Sequence, residues 1–130
     1  MKNVSLLTKV LFHITNIILI ILYLYPGSIL GWLIYGNIQK QPQITSDFIF
    51  SSNHVYAFLI LSLLGLFSYY KKNIKILFLY LFFISIFLES LHYMIPQRSF
   101  EYKDLFGNFF GVLIVFLLFN FYKFFKKVYD

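Results

Sequence analysis

Apolar residues occur in four long runs, and the segments outside the runs hold most of the polar residues. The runs cover residues 10–30, 52–70, 74–93 and 105–125. A helix needs about 20 mainly apolar residues to cross a hydrocarbon core that is about 30 Å thick. The pattern therefore predicts an all-α membrane protein with four transmembrane helices.

The four predicted spans leave no room for a separate soluble domain. The longest segment outside them, residues 31–51, is too short to bury a core of its own, so we expect one transmembrane domain over residues 1–130. The first run follows basic residues, as a signal peptide does, but it is longer than a signal core. No Ala-x-Ala-like cleavage pattern follows "LYPGS", which favours a retained span that Pro26 and Gly27 kink or end.

Composition agrees with this class and excludes some chemistry. Hydrophobic residues make up 60% of the chain and charged residues 12%, which is typical of a protein surrounded by lipid. The chain has no cysteine. Disulfides, thiolate metal sites and a cysteine nucleophile are therefore excluded.

The distribution of positive charge predicts the orientation. Lysine and arginine near span ends tend to remain on the cytoplasmic side, and eight lysines fall on one side of a four-span topology: Lys2, Lys9, Lys71, Lys72, Lys75, Lys123, Lys126 and Lys127. Both termini are therefore expected in the cytoplasm. Topology and anionic lipid headgroups account for the net charge of +6, so we expect the lipid bilayer and no nucleic acid as a partner.

Ionisable residues gather in one stretch, "ESLHYMIPQRSFEYKDLFGN", between the third and fourth spans. Glu89 and His92 are three residues apart and share one helix face. Asp104 and Asn108 are four apart and share a face of the next helix. Because consecutive spans are antiparallel and these residues lie at similar depths, we expect all four around one small cavity that opens to the outside.

Arg98 follows Pro96, which is expected to end the third helix, and its guanidinium can pair with a carboxylate or a phosphate. One interpretation is a structural clasp in which Arg98 neutralises Glu89 and Asp104. Others are binding of an anionic headgroup or a peptide carboxylate, and acid–base catalysis by Glu89 or Asp104 with His92. Metal binding through Glu89, His92 and Asp104 is disfavoured by the nearby arginine, so we expect no metal and no other cofactor.

Other polar and small residues lie within the spans. Gly107 and Gly111 form a GxxxG pattern that allows close helix packing, within one chain or between copies in a homo-oligomer. His13 and Asn16 are expected to make interhelical hydrogen bonds. His54, at the start of the second span, is expected to be solvated or to join the rim of the cavity.

The polar stretch resembles the VanZ-like family of small bacterial integral membrane proteins. That family typically carries ExxQ, a proline, an arginine and DxxxNxxG at this spacing. The chain departs from it at His92, which stands where the family has glutamine, and at Ala57, where the family has a histidine that His54 could replace from one turn away. The matching residues are Glu89, Pro96, Arg98, Asp104, Asn108 and Gly111.

The resemblance implies a multi-pass protein of the bacterial plasma membrane, in a family linked to glycopeptide resistance, specifically to teicoplanin. The family's biochemical activity is largely undefined. On this interpretation an amphiphilic envelope ligand binds at the candidate site: a lipid headgroup, a lipid-linked cell-wall precursor or a lipoglycopeptide. A membrane enzyme acting on a lipid-linked envelope substrate and a structural or assembly subunit are the alternatives. The candidate ligand-binding residues are Glu89, His92, Arg98, Asp104 and Asn108.

Overall fold

A computed structural model describes residues 2–70 and 72–129, and all regular secondary structure in that part of the chain is helical. Four of its helices are long and apolar enough to cross a bilayer. The predicted fold class, an all-helical membrane protein with four spans, is confirmed. The helices are α1 (Lys2–Leu24), α2 (Ile29–Tyr35), α3 (Ser52–Tyr69), α4 (Ile74–Leu91) and α5 (Tyr102–Tyr129).

The outer surface of the four long helices is apolar. Ile17 on α1 is 57% exposed, Leu79 on α4 is 72% exposed and Leu118 on α5 is 60% exposed. A water-soluble protein seldom exposes so continuous an apolar surface. In a bilayer the same side chains contact lipid, which agrees with the assignment of the helices as spans.

Helix α3 lies in the middle of the bundle, where it packs against α1, α4 and, most extensively, α5. Its Phe58 and Leu61 are fully buried. They join Leu81 of α4 and Val112 and Val115 of α5 in one apolar core. This core fixes the relative positions of the four helix ends that carry the polar residues.

Each long helix runs antiparallel to the next long helix along the chain, so the bundle has two distinct ends. At one end, called the cluster end, α1 and α4 finish and α3 and α5 begin. At the other, called the lysine end, α3 and α4 are joined by a tight turn at Asn73, whose φ is +59°. Lys71 and the side chain of Lys2, both used in the orientation argument, lie outside the described residues. Which end faces the cytoplasm stays a prediction.

The first span ends earlier than predicted. Helix α1 stops at Leu24, before Pro26 and Gly27, and Gly27 adopts a φ of +88° that favours glycine. The Ser28 hydroxyl then accepts a hydrogen bond from the Gly31 N–H at 2.9 Å and starts α2. Residues 29–30 therefore belong to a separate short helix, and the predicted boundary at residue 30 is wrong.

Helix α4 also ends before the residue expected to end it. It stops at Leu91, and the N–H groups of His92, Tyr93 and Met94 each donate to the carbonyl three residues earlier. Such bonds tighten the last turn of a helix. The prediction that Pro96 ends this helix is therefore wrong, because the chain has already left the helix four residues before it.

The segment after α2 folds back against that helix. The Ser28 N–H donates to the Ile38 carbonyl at 2.7 Å, and the Asn37 N–H donates to the Gly31 carbonyl at 3.3 Å. A Cβ atom on Gly31 would lie 1.6 Å from the Lys40 carbonyl oxygen, so only glycine fits there. This packing holds the following residues, 41–44, beside α1 and α3, where they line a cavity.

Candidate functional site

Six polar side chains from all four long helices meet at the cluster end, and we call them the polar cluster. Each lies within about two turns of a helix end or directly after it, so the antiparallel packing brings them together. Their convergence depends on the termini of α1 and α4 meeting the starts of α3 and α5. The members are Tyr23, His54, Glu89, His92, Asp104 and Asn108.

Glu89 is the centre of the polar cluster and is fully buried. Its Oε1 accepts a hydrogen bond from the Glu101 N–H at 3.1 Å and lies 3.2 Å from His92 Nδ1. Its Oε2 is buried without a hydrogen-bond partner and lies 4.0 Å from His54 Nδ1. A buried carboxylate oxygen without a donor is unfavourable, and each such oxygen in a native protein calls for an explanation.

His54 is buried in the polar cluster and is not solvated, so the simpler of the two expectations for it is wrong. Its Nδ1 lies 3.1 Å from the Tyr23 hydroxyl and 3.1 Å from Asn108 Oδ1. Its Nε2 lies 3.7 Å from Asp104 Oδ2. The first turn of α3 points this ring inward because α5 packs closely against the same turn.

The orientation of the Asn108 amide determines which nitrogen of His54 carries hydrogen. Asn108 Nδ2 donates to the Ser85 carbonyl at 3.2 Å, so Oδ1 faces Tyr23 and His54. The Tyr23 hydroxyl donates to that same Oδ1. An amide oxygen only accepts, so the Nδ1 atom of His54 supplies the hydrogen for its contact with Asn108. In the neutral ring, Nε2 is then left with a free lone pair on the side of Asp104.

His92 joins the end of α1 to α4. Its Nε2 lies 3.1 Å from the Tyr23 carbonyl oxygen, and its Nδ1 contacts Glu89. Both ring nitrogens therefore already have partners. The ring also stacks on the Tyr23 phenol, with 5.7 Å between ring centroids. His92 is thus a connecting residue whose two nitrogens are both engaged.

Arg98 does not pair with the acids of the cluster. Its Nη2 donates to the Leu22 carbonyl at 2.7 Å and its Nε donates to the Tyr25 carbonyl at 3.2 Å. These carbonyls lie at the end of α1, where the last carbonyls lack helical donors. No ion pair joins Arg98 to Glu89 or Asp104 among the described residues. The interpretation of a clasp in which Arg98 neutralises Glu89 and Asp104 is therefore wrong, because Arg98 binds backbone carbonyls at the end of α1 instead.

Burial is the main influence on the Arg98 guanidinium, and it lowers the pKa of Arg98 from the ordinary value. An arginine guanidinium is not deprotonated in proteins at neutral pH, so the group stays charged. Its Nη1 makes no hydrogen bond to the residues that the structure describes. A half-buried charge with a free donor is consequently available to an anion.

A cavity of about 400 Å³ lies beside the polar cluster, between α1, α2, α3 and residues 41–44. The polar side chains that line it include Tyr23, His54, His92 and Arg98. Apolar side chains line it as well, so the cavity is amphiphilic. The apolar lining comes mainly from Leu22, Ile29, Leu30, Ile34, Ala57 and Ile60.

The acidic residues at the edge of the cluster interact mainly with backbone and lysine. Asp47 Oδ1 accepts a hydrogen bond from the Ser52 N–H at 2.9 Å, and this bond is the largest cause of the lowered pKa of Asp47. Lys103 Nζ lies 3.5 Å from Asp47 and 3.4 Å from Glu101. These contacts attach the loop before α3 to the start of α5.

Gly107 and Gly111 lie against α3 within the same chain. A Cβ atom on Gly107 would lie 2.8 Å from the Ser51 carbonyl oxygen, and one on Gly111 would lie 2.6 Å from the Val55 carbonyl oxygen. Such distances are too short for real Cβ atoms, so the two helices approach this closely only because both residues are glycine. The face is occupied by α3 and is not open to another copy.

The lysine end contains simpler polar contacts. His13 Nε2 lies 3.0 Å from the Tyr69 hydroxyl, and Asn16 Nδ2 donates to the Tyr80 hydroxyl. We call these two contacts the lysine-end pairs. They join α1 to α3 and α4, as the expectation of interhelical hydrogen bonds stated.

Comparison with known proteins gives no match. No family model, no curated protein and no solved structure is significantly similar to the chain. The resemblance to the VanZ-like family therefore stays a prediction.

The structure brings together four of the five residues predicted for the site, and it places the fifth, Arg98, on the neighbouring cavity wall. Asn108 bonds to Ser85, one turn deeper on α4 than Glu89, so the two polar stripes meet with an offset of about one helical turn. Sequence reasoning missed Tyr23 altogether. Its only signal was a hydroxyl near the end of an apolar run, at the depth where other polar residues were expected.

Proposed function

We propose that this protein binds an amphiphilic ligand with an anionic headgroup in the cavity beside Arg98. The observation that carries the proposal is the pairing of an apolar cavity wall with a half-buried guanidinium that has no carboxylate partner. Arginine recognises phosphate and carboxylate groups through parallel N–H donors. The headgroup contacts Arg98, and the alkyl part of the ligand lies against Leu30, Ile34 and Ile60.

The charges around Arg98 favour an anion at the cavity and not deeper in the cluster. Glu89 is surrounded by protein and contacts His92 and the Glu101 backbone. It therefore repels an anion that approaches beyond Arg98. Among the polar residues that line the cavity, Arg98 offers a donor, Nη1, that has no hydrogen-bond partner among the described residues. A phosphate or carboxylate headgroup accepts a hydrogen bond from this donor at the cavity surface.

The envelope context comes from the resemblance to the VanZ-like family. It suggests a multi-pass protein of the bacterial plasma membrane with cytoplasmic termini and an outward-facing site. Ligands of the right chemistry are phospholipids, polyprenyl-phosphate precursors of the cell wall, and lipoglycopeptides such as teicoplanin. All of them combine a polar, charged group with a long alkyl chain.

Lipid titration followed by native mass spectrometry tests the proposal on the full chain in detergent. The probes are phosphatidylglycerol, phosphatidylcholine with the same acyl chains, and a polyprenyl phosphate. We expect the two anionic lipids to bind at least about tenfold more tightly than phosphatidylcholine, a difference of about 1.4 kcal/mol. Arg98→Gln should abolish this preference, because it removes the charge while it keeps one donor for the α1 carbonyls.

Two further variants make the result specific. Ala57→Phe fills the cavity without contacting the guanidinium, so it should weaken all three lipids alike. Lys103→Gln removes an exposed charge at the same end and should change nothing, and circular dichroism verifies that each variant is folded. Equal binding of anionic and zwitterionic lipids, or a preference that Arg98→Gln leaves intact, would show that the proposal is wrong.

Catalysis on a lipid-linked envelope substrate is the alternative, supported by two histidines and a buried glutamate next to the cavity. Among the described hydrogen bonds neither His54 nor His92 contacts a serine, threonine or lysine, which disfavours a covalent nucleophile. The same spectra distinguish this alternative. A substrate that accumulates only on Glu89→Gln would favour an enzyme.

A structural or assembly role through the GxxxG pattern has less support. Gly107 and Gly111 are covered by α3, so they are not free to contact a partner chain. A homo-oligomer of this protein would need another surface.

A further inference from the structure

We propose that His54, Glu89 and Asp104 form a binding site for one divalent transition-metal ion such as Zn²⁺. Each residue offers one ligand atom, and the three atoms lie within 4.8 Å of one another. Imidazole and carboxylate are the ligand types that Zn²⁺ and neighbouring metals accept when no cysteine is present. This site is distinct from the anion site at Arg98, and neither proposal depends on the other.

The unpartnered oxygen of Glu89 is the observation that points to a bound ion. Glu89 is fully buried and its Oε2 has no hydrogen-bond partner among the described residues; this oxygen lies 4.0 Å from Nδ1 of the His54 ring. The other oxygen, Oε1, is already engaged by His92 and the Glu101 N–H. A cation beside Oε2 would satisfy a buried oxygen that the described residues leave without a partner.

The ring of His54 is oriented as in known metal sites. Metal-bound histidines usually donate their second N–H to a carbonyl or carboxylate, which fixes the tautomer. Here Nδ1 donates to Asn108 Oδ1, and Asn108 is itself fixed by its bond to the Ser85 carbonyl. The Nε2 lone pair is left on the side of Asp104, 3.7 Å from Oδ2. The neutral imidazole is therefore ready to bind a metal ion through Nε2.

The sequence-based expectation of no metal depended on two assumptions that the structure removes. Arg98 was expected beside the acids, but its guanidinium binds the carbonyls of Leu22 and Tyr25. His92 was expected as the imidazole ligand, but both of its nitrogens are engaged. His54 takes its place, with one nitrogen held by Asn108 and the other free.

Charge also favours a cation. Glu89 and Asp104 bring two carboxylates into a site that is largely shielded from solvent, with side-chain exposures of 0% and 18%. A divalent ion neutralises both of them. Zn²⁺ holds its ligands at about 2.0–2.2 Å, which places neighbouring ligand atoms about 3.3 Å apart. The distances between the three ligand atoms, at most 4.8 Å, then need to shorten by about 1.5 Å or less.

Metal binding by the full chain tests the inference directly. The protein is purified in detergent without a polyhistidine tag, stripped with a chelator and titrated with Zn²⁺, and the bound metal is counted by elemental analysis. We expect one equivalent of Zn²⁺ and an unfolding midpoint that rises with its concentration. Co²⁺ in place of Zn²⁺ should give visible absorption bands of a low-coordinate site.

Isosteric substitutions identify the ligands. Asp104→Asn and Glu89→Gln should each weaken Zn²⁺ binding by tenfold or more, and Asp104→Asn is the safer variant because Asp104 is partly exposed. Glu101→Gln and His13→Gln make matched changes outside the site and should bind as the wild type does. Arg98→Gln should keep the metal, which separates this site from the anion site.

Three outcomes would overturn the inference. The first is a wild-type protein that takes up no Zn²⁺ after chelation. The second is binding that Asp104→Asn leaves unchanged in a protein whose helicity is intact. The third is equal loss in the His13→Gln control, which would show adsorption of the metal at scattered histidines.

Discussion

The two ends of the bundle place the same three residue types, histidine, asparagine and tyrosine, between helices. At the lysine end they form two separate pairs that join α1 to its neighbours. At the cluster end Tyr23, His54 and Asn108 contact one another and lie beside buried acid. Similar residues therefore serve helix packing at one end and form a candidate binding site at the other.

Carboxylates make the difference. The described part of the lysine end contains no acidic residue, whereas four lie at or near the cluster end: Asp47, Glu89, Glu101 and Asp104. Both ends contain a buried oxygen without a hydrogen-bond partner, Asn16 Oδ1 and Glu89 Oε2. Leaving an amide oxygen unpaired costs much less than leaving a carboxylate oxygen unpaired. The comparison shows that the type of a polar residue within a span does not by itself indicate a binding site. The residues that it contacts decide between helix packing and binding.

Truncating the asparagine at each end should give the largest contrast. Asn108→Ala removes a side chain that bonds Tyr23, His54 and the Ser85 carbonyl. Each buried polar group left without a partner costs about 1–3 kcal/mol, so we expect a loss of about 3 kcal/mol. Asn16→Ala removes one interhelical bond, which is worth about 0.6 kcal/mol in a membrane protein. Reversible unfolding in mixed micelles measures both, and equal losses would contradict the contrast.

Alanine substitutions of one glycine near each end should give a smaller contrast in the free energy of unfolding. A Cβ atom on Gly111 meets the backbone of α3, 2.6 Å from the Val55 carbonyl oxygen, and helix backbone does not move aside easily. We expect Gly111→Ala to cost about 1–3 kcal/mol, as overpacking does.

The matched change is Gly65→Ala, nearer the lysine end. A Cβ atom there meets the ends of two side chains, Leu77 and Phe12, at 2.9 and 3.0 Å. A rotamer adjustment of about 0.5–1.5 kcal/mol is offset by the better helix propensity of alanine, about 1 kcal/mol. The net change should be close to zero by the same unfolding measurement. A larger loss for Gly65→Ala than for Gly111→Ala would mean that α3 and α5 are less rigidly packed than described.

The smallest expected effect concerns pH. Asp47 has a lowered pKa because its carboxylate accepts the Ser52 N–H, so its stabilisation is present at neutral pH and is lost as the pH falls through the folded-state pKa. Asp47→Ala should cost about 1 kcal/mol at pH 7, as loss of a helix cap does. The difference from wild type should begin to shrink as the pH falls below the ordinary pKa of aspartate, and it should disappear below the lowered pKa of the folded state. Glu101→Ala is the control, and a gap that persists in acid would exclude this role for Asp47.

Hydrophobic pattern predicts the number of spans because each is a local property of about 20 residues. It does not predict that α1 ends at Leu24 or that α2 forms, since the apolar run continues through both. These boundaries depend on the conformation of Gly27 and on the Ser28 cap. The site shows the same limit. The spacing of Glu89, Asp104 and Asn108 indicates one polar region, but their partners come from other helices.

Backbone carbonyl acceptors are a second reason why the site in the structure differs from the site expected from the sequence. Arg98 was expected to find an acid because sequence displays side-chain charges and does not display unpaired carbonyls. In the structure the carbonyls of Leu22 and Tyr25 bind it instead. His54 and Tyr23 lie far from the polar stretch along the chain, and only the packing of α1 and α3 brings them to it.

The polar cluster takes side chains from every one of the four spans, and this has a consequence for biogenesis. Spans insert into the bilayer largely as independent helices and associate afterwards. Until α5 arrives, His54 and Glu89 lack Asn108 and the Glu101 amide, and the end of α1 lacks Arg98 until the loop before α5 has folded. The cluster is therefore completed in the last step of assembly. A chain interrupted before α5 leaves the cluster without Asp104 and Asn108, which distinguishes unfinished copies from finished ones.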